Sequence, residues 1–111
     1  MDAQLVEEIR RLVLDLVAGR YAQIASDGRI GRLTEAELNT AVASYGRRLV
    51  PLPDEAWRLV DVFHQAGATE SISLDVPLWT EEEGRSDLTL SLSARRRGDH
   101  YEIEIDDLHV L

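Results

Sequence analysis

The sequence predicts an α+β domain, with N-terminal helices packed on one face of a four-stranded antiparallel meander. Three observations predict it. Apolar residues recur at helical spacing near the start, the period drops to two from Leu59 onward, and the intervening residues of those later segments are polar. Strands with one wet face alternate in this way, whereas parallel strands covered on both faces read as continuous apolar runs.

Leu5, Ile9, Leu12, Val13 and Leu16 fall on one side of a helix expected over 3–18, with Glu7, Glu8, Arg10, Arg11 and Asp15 on the other. Asp2 suits its N-cap and Gly19 its end. The mixed signs of the polar face argue against membrane binding. Between residues 20 and 33, Tyr21 and Ile24 are the expected anchors and Asp27-Gly28 a turn. Thr34 and Glu37 have the spacing of a capping box, so a second helix is expected over 35–45, burying Leu38, Ala41, Val42 and Tyr45 and ending at Gly46. Pro51 and Pro53 hold the chain before them extended, and residues 54–57 suit one helical turn, with Trp57 in the core.

The strand-rich half follows. Val60 and Val62 alternate with Asp61, and Gly67 marks a turn. Ile72, Leu74, Val76 and Leu78 form one stripe, Leu88, Leu90, Leu92 and Ala94 a second, and Tyr101, Ile103 and Ile105 a third. A two-residue turn at Arg97-Gly98 would pair Ala94 with Tyr101, Leu92 with Ile103 and Leu90 with Ile105. Ser93, Ser91 and Thr89 would then face Glu102, Glu104 and Asp106. The phase breaks at Asp106-Asp107, where a bulge is expected. No repeat or linker divides the chain, so one domain is expected over 1–111, helical over 1–58 and strand-rich over 59–111.

Charge is unevenly shared. Residues 61–111 carry twelve acids and four arginines, a net −8, while residues 1–60 carry nine acids and eight arginines. Such a surface repels nucleic acid and anionic membrane and attracts cationic partners. The start of the chain has no basic n-region or apolar h-region, so no signal peptide is expected. No apolar run approaches the roughly 20 residues of a membrane span, and the expected location is cytoplasmic. Cysteine is absent from the 111 residues, excluding disulfides and thiolate metal sites.

Several constellations invite chemistry. Around Asp27-Gly28-Arg29 the chain has the middle of a calcium loop, but Gln23, Ala25 and Thr34 occupy three of the four outer ligand positions, so no calcium is expected. His64, His100 and His109 lack zinc spacing. No metal, cofactor or catalytic residue is expected. Glu102, Glu104 and Asp106 share one sheet face, with Asp75 a candidate neighbour, and are expected to be solvated carboxylates. The connector Glu81, Glu82, Glu83, Gly84, Arg85, Ser86, Asp87 is expected as a charged loop. Trp79, on polar-face parity at its base, would be exposed or close a groove, as an aromatic anchor with a charged rim.

Leu78-Trp79-Thr80-Glu81-Glu82-Glu83-Gly84-Arg85-Ser86-Asp87-Leu88-Thr89-Leu90, the closing Ile105-Asp106-Asp107-Leu108-His109-Val110-Leu111, and Leu49-Val50-Pro51 with Pro53-Asp54-Glu55-Ala56 carry a resemblance. On these motifs the chain resembles a group of small bacterial proteins known only as a domain of unknown function, which supplies no activity or catalytic residue to carry over. In size and acidity it is similar, by analogy alone, to immunity proteins that neutralise bacterial toxins. The order of elements is similar to the nuclear-transport-factor-like and cystatin-like folds.

The leading expectation is a non-enzymatic acidic interaction module. It would offer Trp79, Glu81, Glu82, Glu83, Arg85, Asp87, Glu102, Glu104 and Asp106 to a basic protein partner such as a toxin, with no nucleic acid or membrane involved. The alternative is a cone-shaped small-molecule-binding or enzymatic domain, with Tyr21, Tyr45, Asp75 or His64 converging in a pocket between helices and sheet. A homodimer through the sheet face is a third arrangement, and it requires like charges to meet.

Overall fold

A computed structural model describes residues 1–64 and 71–111 of the chain. The turn expected at Gly67 lies outside the described residues. The element order is α1 (Ala3–Val17), α2 (Tyr21–Ser26), α3 (Glu35–Tyr45), β1 (Leu49–Val50), a 3₁₀ helix (Asp54–Leu59), β2 (Asp61–His64), β3 (Ser71–Thr80), β4 (Gly84–Arg97) and β5 (His100–Val110).

The N-terminal helices form where capping and periodicity place them. Asp2 accepts the Gln4 amide at 2.7 Å, and Leu5, Ile9, Leu12, Val13 and Leu16 are all buried. Burying each of these side chains contributes about 2 kcal/mol. Thr34 and Glu37 complete the capping box of α3. Leu38 is fully buried, while Ala41, Val42 and Tyr45 pack against the core from its margin.

β2, β3, β4 and β5 run as an antiparallel meander, and two-residue β1 adds a fifth strand along the outer end of β3. The rows Ile72–Ala94–Ile103, Leu74–Leu92–Ile105 and Val76–Leu90–Leu108 cross the sheet on its helix-facing side. These residues, with α1, Ile24, Leu38, Leu49 and Leu52, make the hydrophobic core of the described residues.

The hairpin register differs from expectation by two residues. The turn is Gly98-Asp99, Arg97 pairs with His100, and Ala94 meets Ile103 rather than Tyr101. A shift of two leaves every side chain on its expected face, because the pleat repeats every two residues. The turn settles one step later, with Gly98 at φ +62° in its first central position. The bulge at Asp106 is present. Leu92 pairs with Ile105 and Ser91 with Asp107, which leaves Asp106 as the extra residue.

A second irregularity lies between Pro77 and Trp79, and the expectation for Trp79 is corrected. The offset is two residues, which keeps Trp79 on the parity of Val50 and Arg85, yet the indole is only 8% exposed and belongs to the buried cluster. Trp57, expected in the core, lies at its margin instead, with the Arg10 guanidinium 5.2 Å from its ring centroid.

Candidate functional site

The outer face of the sheet is built from strand parity. Two adjacent rows cross it: Asp61–Asp75–Ser91–Asp107 and Phe63–Ser73–Ser93–Glu104. No arginine stands in either row. Asp75 accepts the Ser91 hydroxyl at 2.7 Å, and Asp106 accepts that of Ser93 at 2.6 Å. The bulge therefore places two consecutive carboxylates, Asp106 and Asp107, on one face of a strand that would otherwise divide them. Asp61, Glu102, Glu104, Asp106 and Asp107 are exposed and Asp75 half-buried. His109 Nδ1 lies 3.1 Å from Asp107 Oδ2, close in distance but without hydrogen-bond alignment. Phe63, 51% exposed, stands at the edge of this acidic band.

At the far end of β3 the expected charged loop is instead a three-residue turn, Glu81-Glu82-Glu83, with β4 already under way at Gly84. Each glutamate has a structural partner. Glu81 pairs with Arg48 at 3.7 Å, and its amide donates to the Arg48 carbonyl at 2.9 Å. Glu82 accepts the Arg48 amide at 2.9 Å, which holds its carboxyl below the usual range. Glu83 accepts the Tyr45 hydroxyl at 2.9 Å and the Thr80 hydroxyl at 2.9 Å. The Tyr45 oxygen in turn receives the Asp87 amide at 3.2 Å. Arg85 and Asp87 are exposed on β4, and Ser86 between them is buried, donating to the Leu78 carbonyl at 2.8 Å.

The structure thus separates the residues singled out in the sequence into two groups. Glu102, Glu104 and Asp106 share the outer face with Asp75. Glu81, Glu82, Glu83, Arg85 and Asp87 gather around the turn that ties β3 and β4 to the end of α3. Trp79 is withdrawn from both surfaces.

Asp61, Phe63 and Asp107 belong to the outer face and were missed. Their signal was available, since Asp61 and Phe63 share parity, and the bulge read at Asp106-Asp107 carries Asp107 across.

The calcium-like segment has a different purpose. Arg29, only 8% exposed, donates to Asp15 at 2.6 Å and to Asp27 at 2.7 Å. Its carbonyl accepts the Ile105 amide at 2.7 Å, so the loop covers part of the free edge of β5. Gly31 has φ +64°, and a Cβ there would collide with the Ile105 carbonyl oxygen. Asp27 also accepts from Gln23 at 2.9 Å, leaving its carboxylate engaged by protein donors.

A family model described as a domain of unknown function (DUF7668) matches residues 13–111. The chain belongs to that family. Neither a curated protein nor a solved structure matches it. The DUF7668 match covers both rows of the outer face, the glutamate turn and the Arg29 loop, and excludes most of α1.

Two cavities open on the described surface of this DUF7668 domain. One, of about 710 Å³, lies between α1, the Arg29 loop, β5 and the adjoining parts of β3 and β4, with Glu8, Arg11, Arg95, Tyr101, Glu102 and Glu104 in its walls. The other, about 390 Å³, lies between α3 and the end of β5. The groups expected to converge in a cone-shaped pocket line neither. Tyr45 serves the glutamate turn, Asp75 lies on the outer face, and Tyr21 packs at the core margin, where burial raises its hydroxyl pKa. The side chain of His64 lies outside the described residues. Among the described residues no three His, Asp or Glu side chains gather as a metal site, and no helix is long and apolar enough to cross a membrane.

Proposed function

We propose that the domain is a protein-interaction module that docks a basic partner protein on the outer face of its sheet. The observation that carries this reading is the cross-strand pair Asp61–Asp75, extended by Asp107 in the same row and flanked by Asp106 and Glu104, with no arginine between them. Like charges directly opposite on adjacent strands destabilise a sheet. A surface that keeps them at a cost to its own stability gains only when a cation arrives to neutralise them.

Phe63 at the border supplies the aromatic anchor sought at Trp79, and an exposed aromatic ring beside a polar rim has the composition of an interface centre. Glu81, Glu82 and Glu83 extend the negative field beyond the sheet, although their partners within the domain make them a rim rather than a centre. An immunity-type inhibitor of a cationic toxin in the bacterial cytoplasm is the concrete form of the reading.

The field would act mainly on association rate, which falls steeply as salt screens it. The test is affinity capture from the native host with wild-type bait and with an Asp61→Asn/Asp75→Asn/Asp107→Asn bait, followed by kinetics on the captured partner. The expected result is capture by wild type alone, and an association rate that drops about tenfold or more from low to high salt. Equal capture by both baits, or a rate indifferent to salt, overturns the reading.

A further inference from the structure

β5 is paired on one side only, and the phase of its free edge follows from two contacts. The turn at Gly98-Asp99 makes Arg97 and His100 a hydrogen-bonded pair. The Ile105 amide points away from β4, to the Arg29 carbonyl. Alternation along an antiparallel strand then turns the N–H and C=O groups of Tyr101 and Ile103 toward the same free side. No backbone group among the described residues bonds to them there. The Arg29 loop covers the edge at Ile105. Between that loop and the hairpin tip, the edge borders the 710 Å³ groove, with Glu8 and Arg11 on the α1 wall and Asp27 at the end.

We propose that this groove receives an extended basic segment of a partner protein, which adds to β5 as a further strand. Strand addition satisfies a row of unpaired edge groups that otherwise needs water or cover. The Arg29 carbonyl already makes the first bond of such a ladder, so an incoming segment continues a pairing that the fold has begun. The open edge runs from Tyr101 to Glu104, about 13 Å, which accommodates about four residues.

Charge selects the occupant. Arg29 is neutralised by Asp15 and Asp27, Arg11 is matched by Glu8 at 3.3 Å, and Glu102 stands across from Arg95 and is paired with Arg97 at 3.4 Å. Glu104 has no partner among the described residues and lies beside Glu102 on the outward side of the strand. A segment alternating lysine or arginine with aliphatic residues would set a cation against Glu104 and its aliphatic side chains toward Ile103 and Tyr101. The site goes beyond the outer-face reading, since it requires no contact with Asp61, Asp75 or Asp107.

The test uses the isotope-labelled full chain and the synthetic peptide acetyl-Lys-Val-Lys-Val-Lys-amide. In the free protein the amides of Tyr101 and Ile103 should exchange rapidly with solvent while those of Glu102, Glu104 and Ile105 are protected. Saturating peptide should shift the Tyr101 and Ile103 signals and slow their exchange about tenfold or more. Peptides N-methylated at alternate residues, made in both phases, should lose binding in one phase. Glu104→Gln should weaken binding several-fold, as should replacing the peptide lysines by glutamates.

Several outcomes overturn the proposal. These are Tyr101 and Ile103 amides as protected as Ile105 in the free chain, no shift at millimolar peptide, undiminished binding by both N-methylated peptides, or equal binding of the glutamate peptide. Shifts centred on Asp61, Asp75 and Asp107 would instead assign the peptide to the outer face, and also overturn it.

Discussion

Asp61 stands directly across from Asp75 in the β2–β3 pair, two carboxylates on one face of adjacent strands. Only Ser91, donating to Asp75, softens the repulsion from within the row. Asp61→Asn should therefore stabilise the isolated domain by roughly 0.2–1 kcal/mol. A raised urea midpoint with an unchanged denaturant slope would register the gain, and the same variant should bind the partner less well. A lowered midpoint would mean that Asp61 serves the fold rather than a docking face.

Arg29 is the one strongly buried cation among the described residues. Arg29→Met would leave Asp15 and Asp27 facing each other without their shared counter-charge, and removing one member of a buried ionic group costs about 3 kcal/mol. Arg20, 3.2 Å from Asp15 and largely exposed, should matter far less. Equilibrium unfolding of Arg29→Met and Arg20→Met side by side would show the difference, and equal losses would contradict the structure.

Two glycines of the same loop offer a matched comparison. Gly28 and Gly31 both have positive φ, but a Cβ at Gly28 meets open space, whereas one at Gly31 runs into the Ile105 backbone. Gly28→Ala should cost about 1 kcal/mol, the usual penalty of left-handed backbone. Gly31→Ala should cost that and more, and should lift the loop from β5. Faster amide exchange at Ile105 in Gly31→Ala alone is the diagnostic result.

Tyr45 Oη links Glu83 to the Asp87 amide. Tyr45→Phe should cost about 1 kcal/mol, the ordinary net worth of such hydrogen bonding. The loss should appear chiefly as greater exchange at Asp87, with the core amides of Leu90 and Leu92 little changed.

The pH response follows from Glu82 and Asp2, whose carboxyls are held low mainly by the Arg48 and Gln4 amides respectively. Both groups are more acidic folded than unfolded. In the acid range the unfolded chain binds more protons, so stability rises with pH there and is fully present at neutrality. As pH falls through the folded values, that contribution is lost. Glu82→Gln should flatten the acid limb of a plot of urea midpoint against pH, and an unaltered limb would show that the Arg48 amide contact is unimportant in solution.

The helices and strand faces were legible because each is set by local chemistry. The Thr34–Glu37 box, the leucine stripe of β4 and the bulge at Asp106-Asp107 are written in spacing alone. The hairpin register was not, because sliding the turn by two residues preserves every in–out assignment, and only the local fit of the Gly98-Asp99 turn separates the two. Trp79 was misplaced because pleat parity fixes a face and not its cover: the indole keeps the parity of Arg85, which is exposed, yet is itself buried. The Arg29 cluster escaped notice since one of its two partners, Asp15, lies on α1, and no short-range pattern announces a contact between Asp15 and residue 29. At the outer face, the carboxylates of β5 were found from alternation, whereas Asp61 needed knowledge of which strand lies beside β3.

The bulged Asp106 has a consequence for how this domain tolerates change. Without that residue, Glu104, Asp107 and His109 would fall outward and Ile103, Ile105 and Leu108 inward in unbroken alternation. Loss of one amino acid normally turns the rest of a strand inside out, yet excision of Asp106 would restore a regular ladder with each aliphatic side chain still inward. The shortened chain should fold while presenting one fewer negative charge to whatever approaches the sheet.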